Sequence, residues 1–228
     1  MTVVEHNGIS AFEAVVGRRS VRRFLPTPVS NDVIETILNA AARAPSGVNA
    51  QPWMVHIVTG ETRERLSRAV TSAAEVGSQS AEYRYLPEVM NEPYLSRRRK
   101  IGFDLYALYG IDRRDVAARK EAMLRNYTFF GAPVGLFFVM DRDMTIGSWL
   151  DCGMFMQSVM TVARAFGLDT CPQQAWCDHG GVVHQVLDIP AQHILLSGMA
   201  LGYIDPTAPE NKLVTERAPS ATFAARHT

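Results

Sequence analysis

Four arginines fall within six residues, in the segment Gly17-Arg18-Arg19-Ser20-Val21-Arg22-Arg23-Phe24. The chain has 23 basic and 23 acidic residues, so its overall balance gives no reason to crowd like charges this tightly. A guanidinium fork matches two phosphate oxygens at once, and a serine hydroxyl adds a short donor. The segment reads as a grip on a phosphorylated cofactor. A solvated basic turn is the common alternative for a lone charge run, and a second segment tips the balance. That segment is Ala44-Pro45-Ser46-Gly47-Val48-Asn49-Ala50-Gln51-Pro52-Trp53. Its prolines stop helix on either side and make it a loop. It carries one hydroxyl and two carboxamides, and each amide is both donor and acceptor. Such groups suit a heterocycle edge that alternates C=O and N–H, as the pyrimidine ring of a flavin does.

Around these segments the chain alternates helix and strand patterns. Residues 9–16 and 31–43 read as helices, the second capped by Ser30 with Asp32 in its favourable first turn. Residues 53–59 alternate and are β-branched, which predicts a strand, and 61–76 return to helical spacing. From Gly77 to Leu95 the pattern dissolves into a Tyr- and Pro-containing excursion, followed by amphipathic helices over 96–109 and 112–127. Residues 134–140 form an unbroken apolar run, the mark of a strand covered on both faces. A helix is expected from Trp149 to Leu168, strands over 168–174 and 194–201, and a short helix over about 180–187. These elements predict a sheet with helices on both faces, in the α+β class.

Composition excludes several functions. Zero net charge argues against nucleic acid as the main partner and gives no general attraction to anionic membranes. Three cysteines, Cys152, Cys171 and Cys177, are too few and odd in number for a disulfide framework and suit a reducing compartment. The stretch Met1–Asn7 has no apolar run and is not read as a signal peptide. The apolar 149–168 helix carries Asp151, Gln157 and Arg164 and reads as a buried soluble helix, so a cytoplasmic location is expected. No Rossmann or P-loop glycine pattern is present. Cys171, Cys177, His179 and His184 fit no standard zinc spacing, and no metal is expected. Met154, Met156 and Met160 sit at core spacing.

The two opening segments resemble the R-R-S-x-R and P-S-x-x-N-x-Q-P-W elements of the FMN-dependent nitroreductase family. Two further matches follow in the family's order: Gly167-Leu168-Asp169-Thr170-Cys171-Pro172-Gln173-Gln174-Ala175-Trp176, and Gly202-Tyr203-Ile204-Asp205-Pro206 through Asn211 to Arg217. The resemblance spans about residues 10–220 and is closest to the branch that includes nitrobenzoate reductases. It implies a single domain over 1–228, built as a three-layer α/β/α sandwich with a central, mostly antiparallel sheet, in an intertwined homodimer. Residues 77–127 are expected as a lid or substrate channel and 204–228 as an extension crossing onto the partner subunit.

The resemblance also implies the cofactors, with FMN held tightly and NADH or NADPH as transient donor in ping-pong turnover on a nitroaromatic substrate. It assigns Arg18, Ser20 and Arg217 to the FMN phosphate, with Arg19 on phosphate or ribityl oxygens. Arg22 is placed beside the flavin N1–O2 edge, where a fixed cation stabilises the reduced ring. Several family members carry Lys there. Pro45, Ser46 and Asn49 are expected to reach FMN across the dimer interface with Gln51 in support. Pro172, Gln173, Gln174 and Ala175 are expected to run along the flavin, with the Gln174 N–H aimed at N5. Other members have an acid and a glycine where this chain has Gln174 and Ala175. Asn211 completes the tail motif, and Gln157 either meets the flavin or satisfies a buried backbone group or a helix partner. Tyr83, Tyr85, Phe103 and Tyr106 are candidate walls for an aromatic substrate; Trp53 is the better fit to core packing. Arg97, Arg98 or Arg99 could receive a substrate carboxylate. Three alternatives share the residues: reductive dehalogenation of halotyrosines, which needs an acid, a tyrosine and a lysine such as Glu82, Tyr83 and Lys100; a non-catalytic flavin carrier; and a phosphate-binding module without flavin.

Overall fold

A computed structural model describes residues 6–228; the first five, part of the stretch read as lacking a signal peptide, lie outside it. Its sheet has four strands: β1 (Met54–Val58), β2 (Val134–Asp141), β3 (Asp169–Gln173) and β4 (His193–Gly202). They lie in the order β1-β2-β4-β3 and pair antiparallel throughout. The parallel element is an isolated bridge between Ser20 and Thr170. Seven helices surround the sheet: α1 (Ala11–Gly17), α2 (Asn31–Ala41), α3 (Gly60–Glu75), α4 (Tyr94–Leu108), α5 (Val116–Leu124), α6 (Ile146–Ala165) and α7 (Gly180–Leu187).

The unbroken apolar run of β2 is explained by its two faces. Val134, Leu136, Phe138 and Met140 pack with Ile34 and Ile37 of α2 and Phe155 and Val159 of α6. Phe137 and Val139 point the other way, toward Leu66 and Val70 of α3, Val183 of α7 and the ring of Trp176. Alternating side chains thus feed two cores, and the result is three layers in the α+β class.

A β-bulge interrupts the β2–β4 ladder. Phe138 opposes Ser197 while Val139 opposes Leu195, so Leu196 has no partner. The side-chain parity of β4 reverses there: Ile194 and Leu196 face the α2–α6 layer, and beyond the bulge so do Met199 and Leu201. The bulge leaves the Leu196 carbonyl free of the ladder and available to side chains.

Two expectations need correction. The helix read over 112–127 is shorter, since α5 ends at Leu124 and a 3-10 segment, Arg125–Gly131, follows. Inside it Phe129 and Phe130 take left-handed φ of 52° and 54°, because their rings are drawn into the core; Phe129 stacks on Trp176 with centroids 4.5 Å apart. On α6, Met160 is buried but Met154 is exposed; it shares one side of that helix with exposed Ile146 and Leu150. Trp53 takes the packing role, stacked on Phe155 at 4.7 Å.

Candidate active site

Segment 18–24 runs beside β3. Ser20 bridges Thr170, the Val21 N–H donates to the Thr170 carbonyl at 3.0 Å, and buried Val21 and Phe24 anchor it in the core. This alternation turns Arg18, Ser20 and Arg22 to one side as half-buried groups and leaves Arg19 and Arg23 exposed. Asn211 fixes the segment from the tail. Its Oδ1 accepts the Arg22 N–H at 2.8 Å, and its Nδ2 donates to the carbonyls of Arg23 and Asp205. The buried Asn211 amide is therefore spent on backbone, and it positions Arg22.

Only one of the clustered cations is neutralised by a carboxylate among the described residues. Arg23 meets buried Glu210 at 3.3 Å, and Arg125 shares that acid. Arg18, Arg19 and Arg217 instead converge with Gln157 on a cavity of about 650 Å³. Burial, reinforced by the nearby Arg217 charge, lowers the Arg18 guanidinium below its usual value. Three cations around one hollow, one of them electrostatically disfavoured, are a site short of an anion. Gln157 is exposed there and donates to Thr161 Oγ1 at 3.1 Å, so it satisfies no buried backbone group. In this conformation Arg217 folds onto its own turn, donating to Thr215 Oγ1 at 2.6 Å.

β3 carries the chain from Thr170, beside Ser20, toward Gln174. Four residues at about 3.3 Å each separate Thr170 from Gln174, roughly 13 Å. Gln174 opens a 3-10 helix, Gln174–His179, so its N–H lies in a first turn that has no intrahelical acceptor. Its side chain is pinned: Nε2 donates to the free Leu196 carbonyl at 2.8 Å. Tyr83 Oη donates to the same carbonyl at 2.6 Å. The bulge thus ties the turn and the excursion to one atom. Gln174, Ala175, Tyr83 and Tyr85 line a second cavity of about 750 Å³ with Glu82 and Asp178. Gln173 is buried; its Nε2 donates to the Asn126 carbonyl at 2.7 Å, while its Oε1 has no partner.

Phe103 and Tyr106 do not join Tyr83 and Tyr85. They face a third cavity, between α4 and α5. The loop holding Pro45, Ser46, Asn49 and Gln51 lines none of these hollows. It stands on the surface, with Gly47 N–H on the buried Asp151 carboxylate at 3.2 Å, Gln51 N–H on Ser46 Oγ at 3.0 Å and Gln51 Nε2 on the Asn49 carbonyl at 3.2 Å. Val48, Asn49 and Gln51 all have left-handed φ, and Val48 is fully exposed.

Glu82, Tyr83 and Lys100 are not assembled as a zwitterion clamp. Glu82 meets Arg142, His184 Nε2 at 3.1 Å and the Leu195 N–H at 3.0 Å, whereas Lys100 pairs with Asp104 at 2.7 Å and Glu216 at 3.5 Å. Sequence reasoning missed Glu82 as an anchor of the excursion and the bulge as the brace of Gln174. Neither has a local pattern, since both depend on contacts more than twenty residues away. The tail up to Lys212 is held by its own chain: Ile204 bridges Phe24, and Glu210 and Asn211 are buried. Beyond it the tail still meets its own chain, with Glu216 3.5 Å from Lys100 and Arg217 beside Arg18 and Arg19.

Known proteins resemble this chain along most of its length. The model of the nitroreductase family matches residues 15–203. A 4-nitrobenzoate reductase of Pseudomonas putida is 39% identical over 93% of both chains. A nitrobenzene nitroreductase of Ectopseudomonas oleovorans is 38% identical over 86% of this chain and 87% of that one. Among solved structures, the FMN and NADPH-dependent nitroreductase NfnB from Sphigopyxis sp. strain HMH superposes with a TM-score of 0.94 at 39% identity, covering 96% of this chain and all of that one. NfnB from Mycobacterium smegmatis, solved in complex with NADPH, gives 0.92 at 28% identity, with coverage of 96% and 98%. The fold is that of these nitroreductases. The chain belongs to the nitroreductase family.

Proposed function

We propose that this chain is an FMN-dependent, NAD(P)H-oxidising reductase of nitroaromatic compounds, nitrobenzoates included. The observation that carries the reading is the hollow where Arg18, Arg19 and Arg217 converge without a carboxylate partner. Those donors fit a phosphate, and β3, which runs roughly 13 Å from Thr170 beside Ser20 to Gln174, gives an extended ribityl chain and its ring a strand to lie along. FMN, when bound, supplies two-electron transfer from the nicotinamide to a nitro group, giving nitroso and then hydroxylamine products. Arg18, Arg19, Ser20 and Arg217 hold the phosphate. Arg22, fixed through Asn211, places a cation at the pyrimidine edge. The Gln174 N–H provides a donor at the reacting edge, and its anchored side chain keeps that N–H still. Tyr83 and Tyr85 border the substrate space beside it.

The reading includes a homodimer. Phe12, Val15 and Val16 of α1 and Ile146, Leu150 and Met154 of α6 are all exposed apolar residues, more than scattered surface hydrophobics require. Ser46 and Asn49 then serve the partner's flavin, and the tail, whose Arg217 faces the phosphate cavity of its own chain, lies along the dimer seam. Residues 77–127 serve as lid and channel within one domain. No helix among the described residues is long and apolar enough to cross a membrane, and the three cysteines are free; we place the protein in the cytoplasm. The test is the visible spectrum of the purified protein with turnover of nitrobenzene and 4-nitrobenzoate. A yellow protein that consumes NADPH or NADH only when a nitroarene is present is expected. A colourless protein that fails to bind added FMN would sink the reading.

A further inference from the structure

The cavity between α4 and α5 has a composition that nitroarene reduction does not require. About 490 Å³ in volume, it gathers Arg98, Arg99, Arg113 and Arg119 around Phe103 and Tyr106. The Arg113 guanidinium lies 5.9 Å from the centre of the Phe103 ring, and that of Arg119 lies 5.4 Å from Tyr106. None of the four arginines is ion-paired among the described residues. The nearby acids have other partners: Asp104 meets Lys100, Asp112 the Arg114 N–H, Asp115 caps α5, and Glu92, close enough to Arg99 to feel its charge, accepts from the Ser96 N–H and hydroxyl. Arg119 also keeps a buried Nε with no acceptor. Four arginines without an ion-pair partner beside two aromatic rings, in a chain of zero net charge, suit a planar heterocycle that carries a dianion.

The location narrows the ligand. Arg98 also lines an adjoining hollow whose wall includes Arg97, Thr215, Arg217 and Glu216, the last paired with Lys100 at 3.5 Å, and Thr215 and Arg217 line the phosphate cavity in turn. Through these shared residues the α4–α5 cavity neighbours the proposed phosphate grip. That cavity shares no residue with the one at Gln174, so its occupant is not the group being reduced.

We propose that the α4–α5 cavity binds the 2′-phosphoadenosine end of NADPH and makes this enzyme selective for NADPH over NADH. The inference rests on the proposed function, which supplies the nicotinamide donor. The guanidinium forks of Arg99 and Arg113 take the 2′-phosphate, while the adenine stacks among Phe103, Tyr106 and the Arg119 plane.

The experiment compares FMN-loaded wild type with Arg99→Ala and Arg113→Ala. Both residues are exposed, so folding is preserved. Binding of adenosine 2′,5′-bisphosphate and of adenosine 5′-phosphate is measured by titration calorimetry, and kcat/KM for NADPH and NADH with nitrobenzene as acceptor. Loss of one charge-assisted phosphate contact predicts about tenfold or greater weakening of the bisphosphate and of NADPH kcat/KM. Adenosine 5′-phosphate and NADH should change less than twofold. Equal losses for the two donors, or no loss for either, overturn the proposal. So does a loss confined to 4-nitrobenzoate as against nitrobenzene, which would make the occupant a substrate carboxylate. Should neither donor support nitroarene turnover, the proposed function fails, and the bisphosphate titration still decides whether the cavity is a phosphate site.

Discussion

Replacing Arg18 by Met separates the two halves of the anion argument, because Met keeps most of the apolar stem and removes the fork. In the folded chain the Arg18 charge is disfavoured by burial and by Arg217. Its removal therefore relieves repulsion in the cofactor-free protein, whose melting temperature should stay level or rise. The FMN-bound protein should respond the other way. A hydrogen bond to a charged group contributes about 1.5–3 kcal/mol, and each 1.4 kcal/mol is a tenfold change, so the dissociation constant of FMN should rise roughly 10- to 100-fold. The stabilisation conferred by excess FMN shrinks accordingly. Quenching of free-flavin fluorescence reads the affinity, and thermal unfolding with and without FMN reads the stability. Riboflavin, which lacks the phosphate, is the control, and its binding should hardly change. An FMN affinity within threefold of wild type would refute the reasoning, as would an equal loss for FMN and riboflavin, which would place Arg18 away from the phosphate.

Gly198→Ala should unfold more easily. A Cβ there would stand 2.4 Å from Trp176 Cδ1, an overpacking that costs about 1–3 kcal/mol, or roughly 2–4 °C per kcal/mol in Tm for a chain of this size; an unchanged Tm would contradict it. The three thiols should resist alkylation in the native protein at pH 8. All are buried, and burial pushes Cys152, Cys171 and Cys177 up to about 11; mass spectrometry should find three labels only after denaturation. Glu82 makes the excursion acid-sensitive. Burial pushes its carboxyl up, but Arg142, the Leu195 N–H and His184 outweigh this and hold it below its ordinary value. A lowered carboxylate adds stability above its unfolded value and loses it as pH falls through the folded one. Proteolysis within 78–93 should therefore accelerate below about pH 4–5, and Glu82→Gln should remove that dependence. Val48→Asp should leave the fold of one chain intact but abolish dimerisation and weaken FMN binding, as sedimentation and flavin titration would read; a stable dimer with unaltered FMN affinity would count against the proposed interface.

The layered fold was legible because its signals are local. The run Val134–Met140 announces a strand with two covered faces, and the spacing of Ile34, Ile37 and Ala41 a helix with one. The 3-10 turn after Leu124 was not legible, since only the core around Trp176 gives Phe129 and Phe130 a reason to take left-handed backbone. For the site, sequence assigned Arg18, Arg19 and Arg217 to one cofactor from opposite ends of the chain, and the three line one cavity. It grouped Tyr83 and Tyr85 with Phe103 and Tyr106, which lie in separate hollows. Residue type alone cannot divide one aromatic set between two cavities, because only the path of the chain between Tyr85 and α4 does so.

Loop 45–52 shows how a single chain can carry a cost that it does not itself offset. Val48, Asn49 and Gln51 hold left-handed φ of 47°, 59° and 50°, and such backbone costs on the order of 1–3 kcal/mol per residue. Asn tolerates the region, but a β-branched Val does not. The loop's own bonds, from Gly47 to Asp151 and from Gln51 to Ser46, fix its shape. Yet Val48 gains nothing by burial, for it is fully exposed. A strained apolar residue persists where burial compensates it, and the proposed dimer would supply that burial for Val48. The exposed stripes of α1 and α6 make the same demand. One partner surface would answer both, and it would bring Ser46 and Asn49 to a flavin that their own chain does not hold.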